Sequence, residues 1–195
     1  MSETARVFDD LAEKYDSWYD RNQKLFEVEA ETVPPPLSPS IEVGCGSGRF
    51  MQKLSIDVGV DISVRLLRIA SRRGCKVVLA DGAALPFPAE VFSSAYLIFT
   101  LCFLTAPEDV LKEVWRVLRP GGVLVTCIIP LDSGLGREYS SKNNPFYRIA
   151  RFYRLDEARL MIEKSGFSIT EVRGVRLKHS DDDFVCITSM KAEDG

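Results

Sequence analysis

Ile41-Glu42-Val43-Gly44-Cys45-Gly46-Ser47-Gly48-Arg49-Phe50 runs from a strand pattern through alternating glycines into the start of a helical pattern. Glycine reaches positive φ without steric cost, so the chain can bend sharply here and a ligand can touch the backbone. The free amides at the start of the following helix then point at that ligand. Taken alone, the stretch is equally an ordinary tight strand-to-helix turn. Its spacing is G-x-G-x-G, and Arg49 stands where the dinucleotide fingerprint G-x-G-x-x-G has its third glycine, which disfavours a nicotinamide or flavin site.

Short apolar runs alternate with helical periodicity on both sides of this turn. Strands are expected at residues 41–44, 57–60, 76–80, 92–99 and 123–129, and helices at 47–54, 63–73 and 107–118. Arg119-Pro120-Gly121-Gly122 stops the last of these helices, and the crossover 75–92 holds only a short helix near 82–85. Five strands with intervening helices imply parallel pairing, because parallel neighbours need crossovers. A further helix at 155–164 ends at Ser165-Gly166, and strands at 167–172 and 184–190 are expected to form an antiparallel hairpin at the sheet edge. The predicted fold is α/β: a Rossmann-like, doubly wound, mostly parallel seven-stranded sheet with an antiparallel last strand and helices on both faces.

Towards the amino terminus, Val7, Phe8, Leu11, Tyr15, Trp18, Tyr19, Leu25 and Phe26 recur at helical intervals, giving one or two amphipathic helices. Val33-Pro34-Pro35-Pro36-Leu37-Ser38-Pro39 then forms a stiff connector, since each proline fixes φ and removes a donor. Across 131–154 periodicity is lost while aromatic residues accumulate, the pattern of a long irregular insertion with a functional role.

Two acids follow the glycine turn at successive strand ends. Val60-Asp61 places a carboxylate at the carboxyl edge of the sheet, where it can accept both hydroxyls of a ribose. Ala80-Asp81-Gly82 places a second one where it can accept from an adenine amine. Each acid singly reads as a helix cap or turn former. In order along a βαβαβ pattern, they favour an adenosine that carries no phosphate.

These motifs resemble those of the class I S-adenosylmethionine-dependent methyltransferases, especially the small-molecule branch of the ubiquinone-biosynthesis type. The likeness runs through Glu42 to Gly48, Gly59-Val60-Asp61-Ile62-Ser63, Ala80-Asp81-Gly82-Ala83-Ala84-Leu85-Pro86-Phe87 and the LKEVWRVLRPGG stretch from Leu111 to Gly122. It extends to Phe8-Asp9 through Tyr19, similar to a lid segment of that branch, and to residues 158–167. The resemblance implies S-adenosylmethionine as cofactor. Gly44, Cys45 and Gly46, with Glu42 alongside, would lie against its methionine part; Asp61 would hold the ribose and Ile62 would pack on adenine. Asp81, Gly82 and Ala83 would meet the adenine edge, backbone near Leu97 and Ile98 would close the site, and Tyr15 and Tyr19 would belong to a lid. The implied organisation is lid helices at 1–32 and one methyltransferase domain at 33–195, with 131–154 on the substrate side.

Methyl transfer from a sulfonium asks for an aligned nucleophile and a dry site more than for acid-base groups. Trp18, Tyr19, Tyr139, Phe146, Tyr147 and Tyr153 are the candidates for an acceptor pocket, against the plainer reading of core or lid packing. No catalytic base declares itself, and the catalytic residue is left unknown. His179, the only histidine, sits in a charged stretch and reads as a surface residue. Many relatives carry His where this chain has Cys102-Phe103, which weakens a histidine-base mechanism. After the fourth strand, Leu97-Ile98-Phe99-Thr100 replaces the Asn/Asp-Pro-Pro-Tyr/Phe motif of enzymes that methylate adenine or glutamine amides.

Composition narrows the remaining classes. With 195 residues, 46% hydrophobic and 27% charged, the chain suits one domain with a proper core. A net charge of -3 argues against nucleic acid as partner. The five cysteines contain no CxxC pair and read as reduced, buried thiols. Asp181-Asp182-Asp183 reads as a solvated turn, and no metal cluster is evident. There is no secretory leader pattern and no apolar run near the roughly 20 residues of a membrane span, so the expected location is cytoplasmic, with a small-molecule substrate and no membrane partner. Oligomeric state is not legible. Competing readings are methylation of protein or RNA, a cofactor-binding module without catalysis, and a nucleotide-dependent oxidoreductase.

Overall fold

The computed structural model describes residues 2–192. Seven strands form one sheet: β1 (Ser40–Val43), β2 (Val58–Asp61), β3 (Val77–Leu79), β4 (Phe92–Ile98), β5 (Leu118–Ile128), β6 (Phe167–Val175) and β7 (Phe184–Lys191), in the order β3-β2-β1-β4-β5-β7-β6. The first five pair in parallel and β7 runs antiparallel to both β5 and β6, as the strand pattern predicts. Strand order reverses between β1 and β4, and a crevice forms at their carboxyl ends because the connections depart to opposite sides.

Strand periodicity divides the core into two layers. Along β4, Leu97 joins Ile41, Val43, Val114, Leu124 and Ile162 on one face, whereas Tyr96 and Ile98 join Phe50, Leu67, Val125 and Phe184 on the other. The first layer is roofed by α6 (Pro107–Val117) and α9 (Leu155–Lys164), and the second by α3 (Gln23–Thr32), α4 (Arg49–Leu54) and α5 (Val64–Arg72). Helix α6 shows why these segments are helical. Pro107 opens it, Glu108 and Asp109 suit its positive end, Arg116 suits its negative end, and Val110, Leu111, Val114 and Val117 form its buried stripe. Burying each of those side chains contributes roughly 1.5–3 kcal/mol.

Several expectations are corrected. The amino-terminal segment makes three short helices, α1 (Glu3–Asp10), α2 (Ala12–Arg21) and α3, because the chain leaves helical geometry at Leu11 (φ -115°) and Asn22 (φ -124°). The short helix expected near 82–85 is absent. Side chains satisfy that backbone instead: Asp81 accepts from the Ala83 amide (2.9 Å), Glu113 accepts from the Leu85 amide (2.8 Å), and Arg116 donates to the Leu85 and Phe87 carbonyls. Strand β5 begins five residues earlier than Val123, directly after α6. Leu118 pairs with Phe92 and Val123 with Ser94, so 119–122 bulges out of the ladder.

Segment 131–154 is not irregular throughout. It carries α7 (Gly134–Ser141) and α8 (Pro145–Ile149), started by Ser133 and Asn144, whose side chains accept from the Gly136 and Phe146 amides at 3.0 and 2.9 Å. Cys127 and Cys186, expected as separate thiols, face each other across β5 and β7 and are joined as a disulfide, while Cys45, Cys75 and Cys102 are free. Asp183 is fully buried, not a solvated turn residue. Its carboxylate accepts the amides of Leu135, Lys178 and His179 and thereby ties α7 to the approach of β7. Among the described residues no helix is long and apolar enough to cross a membrane, and no cluster of acidic, histidine or cysteine side chains could hold a metal.

Candidate active site

The turn after β1 is built for close approach. Gly44 (φ +77°) donates to the Val60 carbonyl at 2.8 Å, and a Cβ on it would lie 2.5 Å from the Thr100 side chain. Gly46 (φ +53°) donates to Asp61 Oδ2 at 2.8 Å, and its missing Cβ leaves open the space under the Tyr15 ring. Asp61 Oδ1 accepts from the Ser63 amide at 2.8 Å. The Asp61 carboxyl is pushed up by burial, against which these amide bonds work.

A cleft of about 180 Å³ opens at this point. Of the cofactor-side candidates, Tyr15, Gly44, Gly46, Asp61, Ile62, Asp81, Gly82, Ala83 and Ile98 line it. Three do not. Leu97 is fully buried in the layer under α6, since alternation along β4 turns it away while Ile98 faces the cleft. The Cys45 thiol packs with Phe50 and Met51, and burial pushes it well above its usual range, which suits packing and not nucleophilic chemistry. Glu42 lies just beneath, 2% exposed, with Oε2 making no hydrogen bond. Burial and the neighbouring Asp61 charge hold its carboxyl well above the usual range. Thr100, Phe103, Ala106 and Val110 also line the cleft and escaped the sequence reading, because they follow β4 where no motif marks them.

Beyond Tyr15 lies a second, larger cavity of about 330 Å³. Trp18, Tyr19, Tyr139, Phe146, Tyr147 and Tyr153, drawn from α2 and from 131–154, all line it. The rings interlock: Tyr139 stacks on Tyr147 at 4.6 Å, Trp18 meets Tyr19 edge-on at 5.1 Å, and the Tyr15 and Tyr19 hydroxyls are 3.1 Å apart. Tyr15, Phe99 and Phe103 belong to both cavities and form the partition between them. Burial pushes the hydroxyls of Tyr15, Tyr19 and Tyr139 up, so all three are neutral at physiological pH.

Glu29 was missed, although a signal existed. On α3 it follows Phe26 by three residues and precedes Ala30 and Val33, which puts a carboxylate on the apolar face. It is 2% exposed and lines the aromatic cavity. His179 is on the surface beside Glu138 (3.3 Å) and lines neither cavity.

Helix α2 is fastened over the site by charge. Asp16 accepts from Arg49 Nε at 2.8 Å and Nη2 at 3.0 Å and from Arg73 at 3.1 Å, and Asp20 pairs with Arg49 Nη1 at 2.8 Å. Arg49, the residue that departs from the dinucleotide fingerprint, therefore clamps the amino-terminal helices to the helix of the glycine turn. The Asp16 carboxyl is held below its usual range by these arginines despite partial burial.

These features fit S-adenosylmethionine: an open backbone cradle at Gly46, with Asp61 and Asp81 at adjoining strand ends on the cleft wall. A family model described as a methyltransferase domain matches residues 41–126. An uncharacterized protein of Methanocaldococcus jannaschii is 38% identical over 165 residues, covering 83% of this chain and 80% of that one. An uncharacterized protein of Mycobacterium tuberculosis is 35% identical over 167 residues, which cover 81% of this chain but only 59% of that longer relative. A demethylmenaquinone methyltransferase of Corynebacterium kroppenstedtii is 29% identical over 164 residues, covering 73% of this chain and 69% of that one. The crystal structure of a SAM-dependent methyltransferase from Thermotoga maritima, described as a possible histamine N-methyltransferase, superposes with a TM-score of 0.88 at 30% identity, covering 96% of this chain and 99% of that one. With sequence and fold agreeing over nearly the full length of that last protein, the chain belongs to the S-adenosylmethionine-dependent methyltransferase family.

Proposed function

We propose that the protein methylates a small molecule held in the aromatic cavity, with S-adenosylmethionine in the cleft above the glycine turn. The observation that carries this reading is the shared partition of Tyr15, Phe99 and Phe103, which sets a largely aromatic cavity of small-molecule size against the cofactor cleft. The named function of the menaquinone-pathway relative also supports a small acceptor over protein or RNA.

In this reading the cofactor supplies a methyl group on a sulfonium that leaves readily. The backbone of Gly44, Cys45 and Gly46 holds its methionine part, with the buried Glu42 beneath. Asp61 holds the ribose, Ile62 packs on adenine, and Asp81, Gly82 and Ala83 meet the adenine edge. Tyr15, Phe99 and Phe103 exclude water between the two ligands and align the acceptor for in-line attack. The ring faces stabilise positive charge there. Helices α1 to α3 act as a lid, and α7 and α8 complete the acceptor side.

Calorimetry with S-adenosylmethionine, S-adenosylhomocysteine and NAD tests the cofactor assignment: micromolar binding of the first two and no response to NAD is expected. A labelled-methyl screen against metabolite extract, protein and RNA separately tests the acceptor class. Label appearing only in protein or RNA would overturn it.

A further inference from the structure

The aromatic cavity contains one buried acid. Glu29 is 2% exposed, its Oε2 has no hydrogen-bond partner, and it lines a wall otherwise made mostly of ring faces. A carboxylate without a partner in such surroundings is costly to bury, and a cation entering the cavity would remove that cost while gaining contact with the π faces. Glu29 lines only the aromatic cavity and takes no part in the partition of Tyr15, Phe99 and Phe103, so it belongs to a wall other than the one shared with the cofactor cleft.

We infer that Glu29 is the specificity-determining residue of the acceptor site and that it selects small molecules carrying a protonated aliphatic amine. The inference rests on the reading of the cavity as the acceptor site. Its charged and titratable surroundings are compatible. Tyr15, Tyr19, Tyr139, Tyr147, Tyr153 and Cys102 are all pushed up by burial and stay neutral. Lys142 and Lys178 also line the cavity, both over the Tyr139 ring, and Lys142 pairs with Glu138. Helix α4 and strand β6, which also pack on α3, put no residue on the cavity wall among the described residues. Burial holds the Glu29 carboxyl up at about 8, so at pH 7 the ligand-free protein carries it protonated. Arrival of an ammonium ionises it, the proton passes to buffer, and an ion pair remains.

The test uses the full chain saturated with S-adenosylhomocysteine and titrated at pH 7 with phenethylamine, the uncharged 2-phenylethanol and the anionic phenylacetate, for the wild type and Glu29→Gln. The wild type should bind the amine at least about 10-fold more tightly than the alcohol, in line with a charge-assisted hydrogen bond in a buried site. Calorimetry in two buffers of different ionisation enthalpy should show close to one proton released. In Glu29→Gln both the preference and the proton release should vanish. Equal binding of amine and alcohol by the wild type, no amine binding at all, or an amine preference that survives in Glu29→Gln would each overturn the inference. Binding of S-adenosylhomocysteine, measured first in both proteins, separates the two levels: its failure in the wild type refutes the methyltransferase reading itself, whereas its retention isolates the role of Glu29.

Discussion

Burying Glu29 without a partner has a consequence for stability that needs no ligand. Its carboxyl is held up at about 8 in the folded protein against 4.5 when unperturbed, through desolvation. A group whose folded value lies above its unfolded value favours folding fully below the unfolded value and loses that contribution as pH rises through the folded one. The relevant window therefore runs from about 4.5 to 8. At about 1.36 kcal/mol per pH unit the whole interval is worth up to about 5 kcal/mol, and water entering the cavity reduces this toward roughly 2–3 kcal/mol. Glu29→Gln cannot ionise and so escapes the loss. Urea denaturation of both proteins at pH 5, 6.5 and 8.5 should show the variant gaining on the wild type with rising pH, the gap widening by at least about 2 kcal/mol. Because every other titrating group is common to both proteins, their contributions cancel in the comparison. Parallel stability profiles, within about 0.5 kcal/mol, would refute the claim that this carboxyl is desolvated.

Three further outcomes follow from the cleft and the helix fastened over it. Asp61→Ala removes the acceptor for the Gly46 amide and the proposed ribose contacts, and should weaken S-adenosylhomocysteine binding by about 1.5–3 kcal/mol in calorimetry, as for lost hydrogen bonds to a charged group. Gly46→Ala places a side chain at φ +53° beneath Tyr15; thermal denaturation should show a cost of about 1–2 kcal/mol, and cofactor affinity should fall by more than that strain explains. Asp16→Ala leaves Arg49 and Arg73 without their shared partner, so hydrogen exchange should rise over α2 with little change in β1, β4 or β5.

The sheet was legible because its signals are local. Most of the strands are apolar runs closed by glycine, proline or an acid, and α6 and α9 are followed closely by Pro-Gly and Ser-Gly stop signals, so chain-local physics sets their positions to within a few residues. What escaped depends on partners distant in sequence. The segment near 82–85 is held out of helix by Glu113 and Arg116, some thirty residues later. Cys127 and Cys186 meet only because β7 inserts beside β5, and Asp183 is buried only because α7 delivers the Leu135 amide to it.

The same distinction governs the site. Glycines and acids at strand ends announce a cofactor cleft because the ligand is met by backbone geometry, which the local sequence determines. The aromatic cavity is assembled from α2, α3, the end of β4, and α7 and α8, and no one of these carries a motif. Aromatic residues at 15–19 and 139–153 still revealed themselves by their abundance. Glu29 did not, since a glutamate on a short helix is ordinarily solvent-facing; only its three-residue interval from Phe26 set it on the buried side. On the proposed reading, an acid on an apolar helix face is the feature that distinguishes a cavity for a charged guest from one for a neutral ring. It makes the Glu29→Gln titrations a test of the acceptor's chemistry as well as of the fold.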